Sequence, residues 1–311
     1  MRTGGMENRT SAMHSGAPEP GYILMDPSGN VTLLVLDPVP ESEQPAVAAE
    51  LMKKEPLAEQ AGFLSFPGGA AQAAGAQTPG AQAPGCGGKY DILLRMAGGE
   101  FCGNASMSAA VYFGMQTGMT EGRVTVKVSG TPDPVRVTVK AAEKKWQGTV
   151  EMPHPCSIET VRFPDGQTLP VVSFDGISHV IFDSAAQAGS DTSAPAGAGM
   201  PAVHSAEAES LVKTWCRFLG ADALGLRFWN RKACTLEPLV YVPAADTLFW
   251  ESACGSGSAA IGAWLAQQED RTVSAVLKQP GGTMEITASP GGPLLLKGTV
   301  KLLSPHTSAG L

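Results

Sequence analysis

The chain has 311 residues, with 22 basic and 29 acidic side chains for a formal charge of −7, 43% apolar and 16% charged residues. Single cores stop growing near about 250 to 300 residues, so the length allows one large or two ordinary domains, and the apolar fraction is enough for a sizeable core. The mild acidity argues against capture of nucleic acid or anionic membrane by charge, and no uncharged apolar run approaches the roughly eighteen residues of a membrane span.

The first stretch, Met1 to Gly16, lacks an apolar segment of signal-peptide length, so a cytoplasmic protein is expected, with no membrane or nucleic-acid partner. Residues 1–20 are polar and dotted with Gly and Pro, which predicts a flexible tail. Val31 to Leu36 is an apolar run of strand length. Residues 68–88 are almost wholly Gly, Ala, Gln and Pro and predict an insertion without a core of its own. Tyr90 to Met96 is a second strand. Asn104 to Phe113 is small and apolar on nearly all sides, the pattern of a helix buried inside something. Arg123 to Val128, Val135 to Lys140 and Trp146 to Met152 alternate or are β-branched, with turn residues between them, and predict strands. Residues 184–202 form another Ser, Ala, Gly and Pro insertion; Ser205 to Leu219 is an amphipathic helix, and Ser256 to Ala266 a second buried one. The six cysteines (Cys86, Cys102, Cys156, Cys216, Cys234, Cys254) are sparse and far apart, and are read as reduced thiols.

A repeat reorganises this inventory. Each buried helix follows a Cys-Gly pair, Cys102-Gly103 and Cys254-Gly255, and precedes a strand, a turn (Gly130-Thr131-Pro132; Pro280-Gly281-Gly282), a second strand and the tripeptide Gly-Thr-Val. The tripeptide starts 46 residues after Cys102 and 44 after Cys254. The expected fold is α+β: two pseudosymmetric domains, each a curled antiparallel sheet or barrel around a central helix. The halves are 21–155, open to completion by a strand at 294–303, and 156–293.

A helix N-terminus carries unpaired N–H groups and partial positive charge; it binds carboxylates and lowers a thiol pKa. Two facing copies make an anion cradle flanked by two thiols. One thiolate can remove the α-proton of a bound amino acid while the other thiol returns a proton to the opposite face, with the N–H groups stabilising the enolate-like carboxylate. A lone cysteine in such a place reads as a small packed hydrophobe; the paired context is what favours chemistry. Cys86, Cys156, Cys216 and Cys234 have no such context and are read as structural. Gly255-Ser256-Gly257-Ser258-Ala259-Ala260 fits a dinucleotide fingerprint in form, but the 51 residues after it read as hairpins rather than strand–helix units. No Cys-x-x-Cys or His-x-x-x-His spacing supports a metal, and no cofactor is expected. A cysteine hydrolase would need a histidine partner, and nothing local selects His154 or His179.

At Gly99-Glu100-Phe101-Cys102-Gly103-Asn104-Ala105 and Ala253-Cys254-Gly255-Ser256-Gly257 the sequence resembles the diaminopimelate-epimerase-like superfamily. Pro27-Ser28-Gly29-Asn30 is similar to that family's opening loop and Gly176-Ile177-Ser178-His179-Val180 to its Gly-Asn-Pro-His segment. The resemblance implies a site between two pseudosymmetric halves, with Cys102 and Cys254 as the acid/base pair. The family's Asn-x-Asp-Gly and Glu-Arg-Gly segments, which read the far end of diaminopimelate, are replaced here by Arg95-Met96-Ala97-Gly98-Gly99 and Trp250-Glu251-Ser252-Ala253. The shortened form looks more like the histidine racemases that supply opine-type metallophore synthesis.

The resulting expectation is a cofactor-independent amino-acid racemase with histidine as leading substrate, a small-molecule partner, and room for a homodimer. Main-chain N–H groups of Gly103, Asn104, Gly255, Ser256 and Gly257 are expected at the carboxylate, with Asn30, Glu100, Glu251 and His179 as candidates for other substrate groups. The bland alternatives are helix caps for Asn104 and Ser256, a turn residue for Asn30, and ordinary loop carboxylates for the two glutamates. Rival functions are a diaminopimelate or other amino-acid epimerase, an isomerase or lyase on the same scaffold, and a catalytically silent anion-binding protein.

Overall fold

A computed structural model describes residues 19–67, 90–143, 145–184 and 200–306. The expected tail, the first insertion with Cys86, and most of the second insertion lie outside these residues. The first half runs β1 (Tyr22–Pro27), β2 (Thr32–Val35), α1 (Gln44–Lys54), β3 (Gln60–Ser65), β4 (Ile92–Met96), α2 (Gly103–Thr117), β5 (Glu121–Val128), β6 (Val135–Ala142) and β7 (Lys145–Glu151). After β8 (Ser157–Arg162), which has no counterpart in the first half, the second half repeats the order: β9 (Thr168–Phe174), β10 (Ile177–Asp183), α3 (Ala206–Leu219), β11 (Leu224–Asn230), β12 (Thr235–Val242), α4 (Gly255–Glu269), β14 (Val273–Gln279), β15 (Gly282–Ala288) and β16 (Leu294–His306), with a single 3-10 turn (Pro243–Ala245) and the short β13 (Thr247–Trp250) added before α4. The duplication is therefore complete at the level of elements.

The sheets are mixed, which corrects the expected antiparallel ones. In each half two helical crossovers join parallel neighbours: β2 with β3 and β4 with β5, then β10 with β11 and β12 with β14. For β2–β3, β4–β5 and β10–β11 the helix imposes this, because a strand that re-enters the sheet directly after a crossover helix runs parallel to the strand it left; between β12 and β14 the antiparallel β13 is interposed before the helix.

The halves meet on one antiparallel pair, β7 with β16, in which Gly148 faces Gly298. Thus the two Gly-Thr-Val copies lie about a local two-fold. A Cβ on Gly148 would collide with Met107 of α2, and one on Gly298 would sit 2.7 Å from Ser28 Oγ and 3.3 Å from Met107 Sδ. Beyond the shared stretch β16 pairs with β1, which closes β1 to β7 and β16 into an eight-stranded barrel around α2. β7 makes no matching continuation. Pro153 and Pro155 follow it, and proline has no N–H to extend a ladder.

Both Cys-Gly helices are buried nearly all round, and their residues share one apolar cluster with the strands of both halves. α3 is amphipathic and covers β10 to β12 from outside through Ala208, Val212 and Trp215; α1 does the same for β1 to β3 through Ala48 and Leu51. Among the described residues no helix is long and apolar enough to cross a membrane.

Candidate active site

The two cysteines cap their helices in the same way. Cys102 and Cys254 are both extended, and each sulfur accepts an N–H two residues into its helix, from Ala105 at 3.4 Å and Gly257 at 3.4 Å. Each cysteine carbonyl accepts the hydroxyl of a serine one turn on, Ser106 at 2.8 Å and Ser258 at 2.7 Å. The caps expected from Asn104 and Ser256 are thus supplied by sulfur, because the cysteine side chain stands one position earlier, where the orphan N–H groups point. Gly257's N–H is already spent on Cys254 and is not free for a substrate.

The helix starts converge. Asn104 Nδ2, in the first turn of α2, donates to the Ala253 carbonyl at 3.2 Å, and Asn30 Nδ2 donates to the same oxygen at 3.0 Å. A Cβ on Gly255 would lie 2.9 Å from both Asn104 Oδ1 and Leu296 Cδ2, and one on Gly103 would lie 2.9 Å from Met152 Sδ. Glycine at 255 lets backbone meet a side chain of the opposite half, and glycine at 103 leaves room for Met152 of its own half. With their nitrogens committed, Asn30 Oδ1 and Asn104 Oδ1 stay buried with no partner among the described residues.

Around the thiols the halves differ. Glu251 stands beside Cys254, close enough for each to shift the other's proton affinity, and its Oε2 is buried with no partner among the described residues. Glu100 instead folds back onto its own loop, bonded to main-chain N–H groups of Gly98 and Glu100. His179 is fully buried; its Nδ1 accepts from Arg227 Nε at 3.1 Å and lies 2.9 Å from Arg227 Nη2. Since arginine can only donate, His179 carries its proton on Nε2. Arg227 is also fully buried, and a Cβ on Gly257 would collide with its guanidinium, so the cation lies against the first turn of α4.

Three residues at the site were missed in the sequence. Gln60 faces Cys102 at 3.0 Å, Glu59 bonds Asn30 Nδ2 at 3.3 Å and the Ser252 N–H at 3.2 Å, and Arg227 underlies Cys254. Only Arg227 left a readable signal, a lone charge inside the apolar run Leu224-Gly225-Leu226-Arg227-Phe228-Trp229.

Burial pushes both thiols up to about 12. It also raises the carboxyls of Glu100 and Glu251, while Arg227 pulls Glu251 and Cys254 the other way. Burial, then Arg227, holds His179 well below 6.5, so it is neutral. A cleft of about 1340 Å³ reaches this region between the turns of the two halves, lined by Phe101, Gly130, Met152, Phe174, Ile177 and Ser256 among others. The other described cysteines are free thiols elsewhere: Cys216 in the α3 core, Cys234 after β11, and Cys156 exposed on the cleft.

Comparison with known proteins gives the family and the fold. The family model described as the histidine racemase CntK N-terminal domain matches residues 20–301. A histidine racemase of Fusobacterium nucleatum subsp. nucleatum is 27% identical over 85% of this chain and 88% of its own. One of Staphylococcus aureus is 26% identical over 85% and 86%. Among solved structures, a Pseudomonas aeruginosa protein named as an epimerase superposes with a TM-score of 0.60 at 14% identity, covering 93% of this chain and 98% of that one. A phenazine-biosynthesis PhzC/PhzF protein from Clostridium difficile gives 0.55 at 11%, covering 94% and 100%. These last two define the fold alone.

Proposed function

The chain belongs to the family of the histidine racemase CntK N-terminal domain and is an isomerase of the racemase type, and from that premise we propose that it interconverts L- and D-histidine by proton transfer between two cysteines, without a cofactor. The observation that carries the reading is the pair of sulfur-capped helix starts, joined by Asn104 of one half reaching the residue before Cys254 of the other. A substrate carboxylate bound at the N–H groups of Gly103, Asn104, Gly255 and Ser256 would put Cα between the sulfurs. One thiolate takes the Cα proton, the electron pair moves into the carboxylate, and the other S–H delivers a proton to the opposite face. The first cysteine ends as thiol and the second as thiolate, ready for the reverse direction. The two helix ends favour the extra negative charge in both directions.

The unpartnered Asn30 Oδ1 and Glu251 Oε2 are acceptors suited to an ammonium or an imidazole N–H, whereas Glu100, turned onto its own loop, is not. His179 acts through Arg227 rather than on the substrate. In this reading the D-histidine is consumed in assembling an opine-type metallophore inside the cell; deleting the gene should then stop metallophore production until D-histidine is fed.

The direct test incubates reduced protein with single L-amino acids and meso-diaminopimelate in D₂O. Deuterium at Cα and appearance of the D-enantiomer are expected with histidine. Exchange with diaminopimelate instead would favour the epimerase alternative, and exchange with nothing would sink the racemase mechanism.

A further inference from the structure

Cys102 and Cys254 hold equivalent places on their helices, yet different groups touch their sulfurs. Cys102 Sγ lies 3.0 Å from Gln60 Oε1. Which end of that amide faces the sulfur follows from its other bonds. The Asn30 main-chain oxygen can only accept, so the buried Thr32 hydroxyl, 3.2 Å away, donates to it. With its one proton spent, Thr32 Oγ1 can only accept from Gln60, 2.7 Å away, and therefore faces the Nε2 amine. That turns Oε1 toward Cys102. An amide oxygen accepts from an S–H and repels a thiolate, so this hydrogen bond exists only while Cys102 keeps its proton.

Among the described residues no amide oxygen is hydrogen-bonded to the Cys254 sulfur. The amide on its side, Gln279, is spent on the Cys254 N–H at 2.8 Å and on Ser258 Oγ at 3.1 Å. The Cys254 sulfur meets the Gly257 N–H, the Ser256 hydroxyl at 3.6 Å and the Glu251 carboxyl, with Arg227 below the same helix turn. While Glu251 is charged it holds the proton on Cys254; transfer of that proton to the buried Glu251 carboxyl, thiol plus carboxylate becoming thiolate plus carboxylic acid, removes the repulsion and leaves Arg227 beside the thiolate. Among the remaining ionisable neighbours, Glu100 and Glu251 both disfavour an anion at Cys102; Glu251 while charged also disfavours one at Cys254, where Arg227 favours it; Glu59 is held by Asn30 and Ser252, and His179 is neutral.

We propose that Gln60, oriented by the Thr32 hydroxyl that the Asn30 carbonyl fixes, is a positioning residue that holds Cys102 as the neutral thiol in the resting protein, so that Cys254 is the cysteine that first becomes thiolate. This gives the two-base reading its starting state. Its test needs no substrate, so either idea can fail without the other.

Reduced full-length protein is treated with iodoacetamide from about pH 7 to about pH 10, and the labelling rate of each cysteine is read from its own peptide by mass spectrometry. Cys254 should label about ten-fold faster than Cys102, although Cys102 is the more exposed and access alone would give the reverse order. Thr32→Val frees the amide to turn its N–H toward the sulfur, and Gln60→Leu removes the acceptor. Each should raise the Cys102 rate relative to Cys254 by about ten-fold, a ratio that general loosening of the fold would not shift selectively. Equal or faster labelling of Cys102 in the parent, or an unchanged ratio in both variants, would overturn the proposal.

Discussion

At the scale of single residues, the cysteines combine two roles that can be separated. Each sulfur closes a helix start, and a serine oxygen caps at least as well, so Cys102→Ser and Cys254→Ser should keep the fold. A serine hydroxyl is far too weak an acid to exchange the α-proton, and loss of one positioned acid or base costs about 10²- to 10⁴-fold in rate. The expected outcome is an unchanged circular dichroism spectrum with racemisation down by at least that factor in both variants. Near-normal turnover in either would remove that cysteine from the mechanism. His179 supplies a second residue-scale prediction. Its folded pKa lies below the ordinary 6.5, so the unfolded chain takes up a proton that the folded one refuses. The stability it contributes is fully present above about pH 6.5 and is lost as the pH falls below it. The raised carboxyls of Glu100 and Glu251 act with the opposite sign, their contribution being lost as the pH rises above about 4.5, and they are common to parent and variant. Comparison with His179→Gln, whose oxygen can still accept from Arg227, isolates the histidine. Urea midpoints of the parent should drop more steeply than those of the variant between about pH 6.5 and about pH 5.5.

At the scale of elements, glycines mark where the repeat is tightest. An alanine at Gly148 would drive a methyl into Met107 of the central helix, and the shared β7–β16 pair leaves no direction of escape. Overpacking of this kind costs about 1–3 kcal/mol, whereas Gly176, in an open turn with φ +78°, has nothing within 4 Å and should show only the smaller backbone penalty of its left-handed conformation. Urea denaturation of the two alanine variants gives the comparison. Both buried helices, their Cys-Gly starts and the hairpins after them were legible because their patterns are local: small apolar residues all round, alternating strands, Gly and Pro at turns. β3 was not. Gln60-Ala61-Gly62-Phe63-Leu64-Ser65 is too short and too rich in small residues to read as a strand, and it is identified by its partners β2 and β4. The parallel crossovers escaped for the same reason, since strand direction is settled by distant pairing. So did Gln60 and Glu59, ordinary polar residues made part of the site by a strand whose neighbours are remote in sequence.

At the scale of the molecule, the halves cannot be cut apart along the repeat. β16 comes last in the second half, yet it closes the barrel of the first and pairs with β7 across the local two-fold. One apolar cluster contains Met107 and Val111 of α2 together with Ile261 and Leu265 of α4, and Leu296 of β16 packs against Gly255 and toward Gly103. Separate unfolding of either half would expose that shared surface and leave the strands beside β16 unpaired, so the two halves are expected to unfold together. Urea unfolding should therefore be one transition. Tryptophan fluorescence, dominated by Trp215, Trp229, Trp250 and Trp264 of the second half, should follow the same curve as the exposure of Cys102 in the first. Leu296→Ala removes a fully buried side chain from between the helix starts and should lower that common midpoint by the equivalent of about 2–5 kcal/mol, with Cys102 and Cys254 becoming exposed together. Two separated transitions, or one cysteine still protected after the other has reacted, would mean that the duplicated halves fold independently and that the site between them is assembled by docking rather than by a common core.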